Sequence, residues 1–309
     1  MDADLEPTWW QPKVGEAKNW DIQLGAPIDV SEPRTMYDLD LWALVPSPTM
    51  IDYGDGDPVK VPAGALAGTI TQLHARTPST IVICHVDTGA LDLRLPDARK
   101  FPGYNMDPTK IPDNPMAIPA PAVPGNPEPG SVIGWRLDTP MRRWLDIREA
   151  SRSKWIEIMF KRFDLARQIG CDGVDPDFNQ VYEFMSGFSP IALESISWYG
   201  EVAQQGHARG LSTGMKNGNA LPGQSDAEAD KFDWLMIERC GEEQFLNCDT
   251  SRPFINLQKA VFSIEYNEDF DGNPQEATLL CGREEHEMIV DGIVKDAGLT
   301  KNVRIQCAP

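Results

Sequence analysis

Short apolar runs alternate along the chain with longer segments whose apolar residues recur at helical spacing. Several short runs, such as IVIC and VFSI, are continuous, which is typical of strands covered on both faces. Their alternation with helices indicates βα units and a parallel sheet. Eight strands are predicted, at residues 20–24, 36–42, 79–86, 171–175, 211–216, 232–238, 260–265 and 302–306.

Three helical patterns lie between these strands. The clearest covers residues 151–169, where an apolar stripe ends at Gly170, and weaker patterns cover 64–76 and 190–209. The two weaker helices end alike, in LHAR and GHARG, so that a His and an Arg meet the negative end of each helix dipole. This likeness is consistent with a repeated βα unit but is too short to establish a duplication.

Eight strands separated by helices predict a (β/α)8 TIM barrel, because a barrel uses eight strands and leaves no edge. A doubly wound open sheet is the alternative, but no GxGxxG follows the first strand. We expect one domain over 1–309, with an N-terminal extension over 1–18. Residues 96–140 break the pattern, and ten of the 26 prolines lie between 101 and 140. This predicts a loop insertion after the third strand, over the barrel mouth or as a surface segment without a role.

The charge balance narrows the class of partner. The chain has 28 Lys and Arg against 47 Asp and Glu, a formal net charge of −19. Nucleic acids and anionic lipids are bound through basic surface, so this balance disfavours both and suits a cationic partner. No apolar stretch is long enough to predict a membrane span.

The six cysteines show no CxxC spacing of a zinc or redox site. We expect disulfides Cys240–Cys248 and Cys281–Cys307, as in a secreted protein, with buried free thiols as the alternative. Cys84 and Cys171 lie in apolar runs and are expected to be unpaired. The first residues, MDADLEPTWW, carry acids where a signal peptide is basic, which fits a mature secreted chain or a cytoplasmic start.

Acidic residues stand at the ends of most predicted strands, where a barrel places its catalytic groups. A single acid there usually caps the next helix. Acids at six strand ends, with one lysine, would repel one another without a cationic ligand or a shared proton, which indicates an active site. The candidates are Asp21, Asp40, His85, Asp87, Asp175, Asp177, Lys216, Glu238, Glu265 and Tyr266.

Two carboxylates across a pocket are what glycoside hydrolysis needs, one ionised and the other holding a proton. Other chemistries lack their motifs, since neither GxSxG nor HExxH occurs. His85 and Asp87 are therefore interpreted as a substrate hydrogen-bonding pair rather than as metal ligands. We expect no cofactor and no metal.

The motifs together resemble glycoside hydrolase family 114, the endo-α-1,4-polygalactosaminidases, whose relatives include spherulin-4-like proteins. The resemblance covers about residues 19–307, and GCDGVxPD and GLSxGxKN are its most specific elements. It implies a secreted (β/α)8 barrel that cleaves galactosamine-rich exopolysaccharide. The matching segments are WDIQLGAPID, YDLDLW, IVICHVDTGALDLRLPDARKFP, RRWLDIR, GCDGVDPDFNQVY, GHARGLSTGMKN, FDWLMIERC and AVFSIEY.

The resemblance also implies which residues carry the chemistry. The family's two catalytic acids fall on Asp177 and Glu238, and its cleft-lining positions fall on Asp21, Asp40, Lys216 and Glu265. This chain departs from the family at the rim of the site. His85 stands for a tyrosine, Leu91-Asp92 for an aromatic–acid pair, Phe178 for an asparagine and Gly218 for an aspartate.

The expected function is that of a secreted, monomeric, retaining endo-glycosidase acting on an α-1,4-linked galactosamine polymer. A non-catalytic polysaccharide-binding or developmental surface protein on the same barrel is the alternative. Asp177 is expected to be the nucleophile, kept ionised by nearby Lys216. Glu238 follows an apolar strand, so its carboxyl is expected to have a raised pKa and to act as acid/base.

Overall fold

A computed structural model describes residues 7–110, 127–218, 227–241, 248–267 and 291–307. The strands are β1 (Trp20–Gln23), β2 (Met36–Asp40), β3 (Thr49–Ile51), β4 (Val59–Val61), β5 (Ile81–Asp87), β6 (Ala90–Asp92), β7 (Ile133–Arg136), β8 (Arg142–Leu145), β9 (Gly173–Asp177), β10 (Ser212–Lys216), β11 (Trp234–Glu238), β12 (Val261–Tyr266), β13 (Ile293–Lys295) and β14 (Arg304–Gln306). The helices are α1 (Leu41–Leu44), α2 (Thr69–His74), α3 (Glu149–Arg152), α4 (Ile156–Ile169), α5 (Ala192–His207) and α6 (Arg252–Asn256).

The main sheet is a nearly closed parallel barrel, which confirms the predicted fold class. Its strand order is β1-β2-β5-β9-β10-β11-β12-β13-β14, and every pair from β1 to β13 is parallel. The seam is closed by side chain and loop contacts: Arg304 Nε donates to the Trp20 carbonyl over 2.8 Å, and Leu24 N donates to the Leu299 carbonyl over 3.0 Å.

The prediction of the eighth strand was wrong. The predicted segment 302–306 forms β14, which runs antiparallel to β13, and the eighth parallel strand is β13 itself. Three residues, IVK, are too short to carry a periodic signal, whereas tertiary pairing with β12 gives them partners on one whole edge.

The barrel interior is apolar toward the amino ends of the strands. Trp20, Met36, Ile83, Trp234 and Phe262 pack together there. Gly214 makes room for this layer, because a Cβ on it would lie 2.1 Å from the Trp234 ring. Beyond this layer the inward positions become polar, so the site is built on a packed floor.

Two helices are tied to the amino end of the barrel in the same way. His74 is the last residue of α2 and its Nε2 lies 2.8 Å from Asp172, which also accepts Val82 N–H of β5 over 2.8 Å. His207 is the last residue of α5 and its Nε2 lies 2.9 Å from Asp233, which accepts Thr213 N–H of β10 over 2.8 Å. The LHAR and GHARG likeness therefore corresponds to one structural unit that occurs twice.

The segment predicted as a structureless insertion contains part of a small sheet. Strands β6, β8 and β7 form a three-stranded antiparallel sheet beside the end of β5, and β7 lies inside the predicted range 96–140. Residues 111–126 of that range lie outside the described residues. The predicted single-domain boundaries stay a prediction.

The cysteines give one confirmation and one correction. Cys240 and Cys248 form the predicted disulfide, and Cys307 is disulfide-bonded, while its expected partner Cys281 lies outside the described residues. Cys84 and Cys171, expected to be unpaired, form a disulfide with their Cα atoms 6.0 Å apart. The pairing of β5 with β9 brings two cysteines 87 residues apart together. Among the described residues, the helices are too short or too polar to cross a membrane.

Candidate active site

The last inward-facing side chains of five adjacent strands lie at one side of the barrel mouth. His85 and Asp87 end β5, Asp175 and Asp177 end β9, and the register pairs His85 with Asp175 and Asp87 with Asp177. Lys216 ends β10, Glu238 ends β11 and Tyr266 ends β12. Seven of the ten residues predicted for the site are therefore gathered here.

Two hydrogen bonds and one ion pair favour the anionic form of Glu238. Asn217 Nδ2 donates to its Oε2 over 2.7 Å, the Tyr266 hydroxyl donates to its Oε1, and Lys216 Nζ lies 3.8 Å from Oε2. Burial favours the neutral form, but Lys216 and the hydrogen bonds from Tyr266 and Asn217 hold the pKa of Glu238 below its ordinary value.

Asp177 has fewer donors. Its Oδ1 accepts the Phe178 N–H over 2.6 Å, and its Oδ2 lies 3.8 Å from Nε2 of His85. Burial raises the pKa of Asp177 to about 6, opposed by Lys216 and His85 and assisted by Glu238. Lys216 makes its ion pairs with Asp175 and Glu238, not with Asp177. The expected protonation states of the two acids are thus reversed.

His85 connects the acids of β5 and β9. Its Nδ1 lies 3.1 Å from Asp175 and its Nε2 lies 3.3 Å from Asp87. Burial lowers the pKa of His85, but the hydrogen bonds to Asp175 and Asp87 outweigh it and raise that pKa well above its ordinary value. Both ring nitrogens therefore donate, and the imidazolium is a buried cation beside Asp177.

Arg142, at the start of β8, brings the small sheet into the site. Its Nε lies 3.4 Å from Asp87, and its guanidinium stacks 4.9 Å from the centroid of the Phe178 ring. Burial raises the pKa of Asp87, whereas His85 and Arg142 together hold it below its ordinary value. The segment that follows β5 thus shapes one wall of the site.

Backbone strain marks the same three strand ends. Phe178, Asn217 and Arg239 directly follow Asp177, Lys216 and Glu238, and their φ angles are 58°, 49° and 59°. Positive φ costs a residue with a Cβ roughly 1–2 kcal/mol, and asparagine less. Such strain is frequent at functional sites, and three of the five positive-φ residues other than glycine in the described part of the chain stand at these strand ends.

Two predicted residues do not join this cluster, and a third lies at its edge. Asp21 binds Lys295 Nζ over 2.8 Å at the barrel seam, and Glu265 accepts Gly241 N–H over 3.1 Å. Each of them neighbours an interior residue, Ile22 or Ile264, so alternation along the strand turns it to the other face. Asp40 is paired with His85 in the register of β2 with β5, and it caps α1 by accepting Ala43 N–H over 2.8 Å.

The sequence interpretation missed Asp38, Asn217 and Arg142. Asp38 is two residues before Asp40 on β2, so strand alternation could have found it. Asn217 stands next to Lys216 in the KN of the family motif. Arg142 is the first residue of the matching segment RRWLDIR, but its contact with Asp87 depends on the path of the small sheet, which no local pattern indicates.

The residues of this site fit a set of mutually paired charged side chains better than they fit a metal ion. Ligand atoms of Asp38, His85 and Asp175 lie within 4.8 Å of one another. Lys216 Nζ, however, lies 3.4 Å from the same Asp175 carboxylate and already supplies a positive charge. The site has two carboxyl groups on separated strands, the buried Asp177 with a raised pKa and the half-buried Glu238 with a lowered one. Two such groups can carry out an acid-assisted displacement at a sugar carbon.

The comparisons with known proteins agree with this chemistry. The family model described as "Glycoside-hydrolase family GH114" matches residues 2–309. Among solved structures, the chain is similar to Ega3 of Aspergillus fumigatus, crystallised in complex with galactosamine, with a TM-score of 0.71 and 26% sequence identity. That match covers 96% of this chain and 97% of the other. No curated protein matches the chain significantly.

Proposed function

Because the chain belongs to glycoside-hydrolase family GH114, we propose that it is a secreted, endo-acting, retaining glycosidase that cleaves an α-1,4-linked galactosamine polymer. Its family makes it a glycoside hydrolase. The similarity to Ega3, a protein crystallised with galactosamine, supports an amino-sugar substrate. The observation that carries the proposal is the pair Asp177, buried, and Glu238, half-buried, which stand at the barrel mouth with pKa values shifted in opposite directions.

The contacts of the two acids assign the roles in reverse of the sequence expectation. In this mechanism Glu238, the anion with two hydrogen-bond donors and the Lys216 ion pair, attacks the anomeric carbon, while Asp177 gives its proton to the leaving glycosidic oxygen. Asp177 then takes a proton from water, whose oxygen displaces Glu238 from the same carbon. Tyr266 and Asn217 hold Glu238 in place through both steps.

The charge of the protein supports a cationic substrate. The net charge of −19 draws a polycation toward the surface and raises its rate of association. Within the site, the Asp87 side chain is 11% exposed, as is that of Asp177, so it can reach a bound sugar. We propose substrate-binding roles for Asp87 and for His85, Asp175, Lys216 and Tyr266, and we propose that the chain acts as a monomer.

The disulfides support secretion. Cys84–Cys171 and Cys240–Cys248 link neighbouring elements around the barrel, and such bonds persist in oxidising compartments. The absence of CxxC spacing argues against a redox role for these cysteines.

The test is release of reducing ends from a de-N-acetylated galactosamine polymer. We expect release of oligosaccharides rather than single sugars, with the α-anomer formed first as followed by NMR. Release from a neutral α-galactan alone would contradict the substrate. Tight binding of galactosamine oligomers without cleavage would favour the polysaccharide-binding alternative.

The roles of the two acids are separable by azide. Asp177→Ala should yield a glycosyl azide of retained configuration, because the nucleophile is still present. Glu238→Ala should yield the inverted azide, because azide replaces the missing nucleophile. The opposite pair of products would exchange the two roles and restore the sequence expectation.

A further inference from the structure

One buried acid at the floor of the site has no place in the mechanism above. Asp38, on β2, has no solvent exposure, and neither of its carboxyl oxygens receives a hydrogen bond from an N–H group of the described residues. Oδ1 of Asp175 is in the same position. The side-chain hydrogen bond of Asp38 is with Asp175, and carboxyl oxygens of the two residues lie within 4.8 Å of each other. The other oxygen of Asp175, Oδ2, contacts His85 Nδ1 and Lys216 Nζ.

Two ionised carboxylates cannot share a hydrogen bond, so this contact needs one proton. Three charged groups face Asp38: Asp175 from β9, His85 from β5 and Lys216 from β10. Strand β1 places Ile22 at the paired position and adds no charge. Both cations are in direct contact with Asp175, which has Lys216 Nζ at 3.4 Å and His85 Nδ1 at 3.1 Å. Asp175 is therefore the anion, and Asp38 is left to carry the proton.

We propose that Asp38 is a positioning residue that remains an uncharged carboxylic acid and donates its O–H to Asp175, so that His85 and Lys216 share a single carboxylate beneath the catalytic pair. Burial and the Asp175 charge raise the pKa of Asp38 well above its ordinary value, which agrees with this arrangement.

The arrangement matters because each cation lies near both Asp175 and one acid of the catalytic pair. His85 lies between Asp175 and Asp177, and Lys216 lies between Asp175 and Glu238. A second anion at Asp38 would draw both cations toward the floor of the barrel and away from the catalytic pair. A neutral Asp38 leaves their charge available to lower the pKa of Asp177 and of Glu238.

The proton itself is tested by infrared difference spectroscopy, which needs no turnover. At about pH 8, where Asp177 is ionised, wild type minus Asp38→Asn should show the carbonyl band of a protonated carboxylic acid. Absence of that band would overturn the proposal. This measurement stands even if the proposed function fails, because it uses the free protein.

The positioning role rests on the proposed function and is tested by a matched pair of variants. In Asp38→Asn the side-chain amide can donate an N–H to Asp175, whereas in Asp38→Leu the side chain has a similar volume and no donor. We expect Asp38→Asn to keep kcat at least about tenfold above Asp38→Leu, with the alkaline limb of kcat/KM in place. In Asp38→Leu this limb should move to higher pH, which a purely structural role would not cause.

Two results would contradict the role. If Asp38→Asn loses as much activity as Asp38→Leu, the residue acts as an anion. If a chelator abolishes wild-type activity and a divalent cation restores it, Asp38, His85 and Asp175 hold a metal instead. Should Asp38→Leu fail to fold, the pH profile of Asp38→Asn against wild type and the infrared band still decide.

Discussion

Both ends of the barrel hold paired histidines and aspartates, but their surroundings differ. At the amino end, Asp172 and Asp233 each accept a strand N–H and the imidazole of a helix-terminal histidine. At the carboxyl end, His85 faces three aspartates, Asp87, Asp175 and Asp177, of which Asp175 also faces Asp38.

The difference shows what makes such a pair functional. Each acid at the amino end accepts one strand N–H and one histidine, so these pairs join each helix to a barrel strand. At the carboxyl end, acids face acids, and their charges are balanced by only a few cations and shared protons. Groups in that condition have shifted pKa values and can exchange protons with a substrate. The four experiments below test this distinction.

Changes to the catalytic pair should have the largest effect, and only on activity. Asp177→Asn and Glu238→Gln should each lower turnover of the galactosamine polymer about a thousandfold or more, because each removes a proton donor or a nucleophile. Thermal unfolding should show the fold intact in both. Near-normal turnover in either variant would mean that the catalytic acid lies elsewhere, with Asp87 the next to test.

A change at the amino end of the barrel should lower the stability of the protein and leave its activity unchanged. Asp233→Ala removes the acceptor for Thr213 N–H, His207, Trp9 and Gln11. We expect the free energy of unfolding to fall by about 2–4 kcal/mol, with kcat unchanged at a temperature where the variant is folded. Asp172→Ala, at the half-buried pair, is the matched control and should cost less. A large loss of kcat in folded Asp233→Ala would remove the distinction between the two ends.

The pH profile of kcat/KM should report the ionisation of Asp177 at the carboxyl end of the barrel. If Asp177 is the acid, its raised pKa means that it is active while protonated, so kcat/KM should fall about tenfold per pH unit above about 6. His85→Gln removes a cation that opposes this raised pKa, so the limb should move to higher pH. A limb that stays in place in His85→Gln would show that this histidine does not act on Asp177.

Relief of backbone strain by glycine should have the smallest effect of the four changes. Gln258, exposed just before β12 at the amino end, has a φ of 59°. Gln258→Gly should raise the free energy of unfolding by about 0.5–1 kcal/mol in a denaturant titration, because glycine adopts positive φ without a steric cost. The matched change Arg239→Gly should instead lower kcat, because it loosens the backbone beside Glu238. Equal kcat in Arg239→Gly and wild type would show that this strain has no functional part.

Much of the fold and the position of the site could be predicted from the sequence. Seven of the eight predicted strands are barrel strands, because continuous apolar runs and helical stripes are local patterns. Asp177 and Glu238 come together for a similarly simple reason, since parallel strands carry their carboxyl ends to one edge. The family motifs added which of the strand-end acids to single out.

The rest depended on contacts between segments distant in sequence. The alternation of side chains along each strand turns Asp21 and Glu265 away from the site. The pairing of β5 with β9 brings Cys84 and Cys171 together. The opposite pKa shifts of Asp177 and Glu238 follow from where Lys216, Asn217 and Tyr266 place their donors, and they are the basis on which we propose the exchanged roles. A sequence specifies which groups can ionise, whereas burial and neighbouring charges, which only the folded chain brings together, decide which of them do.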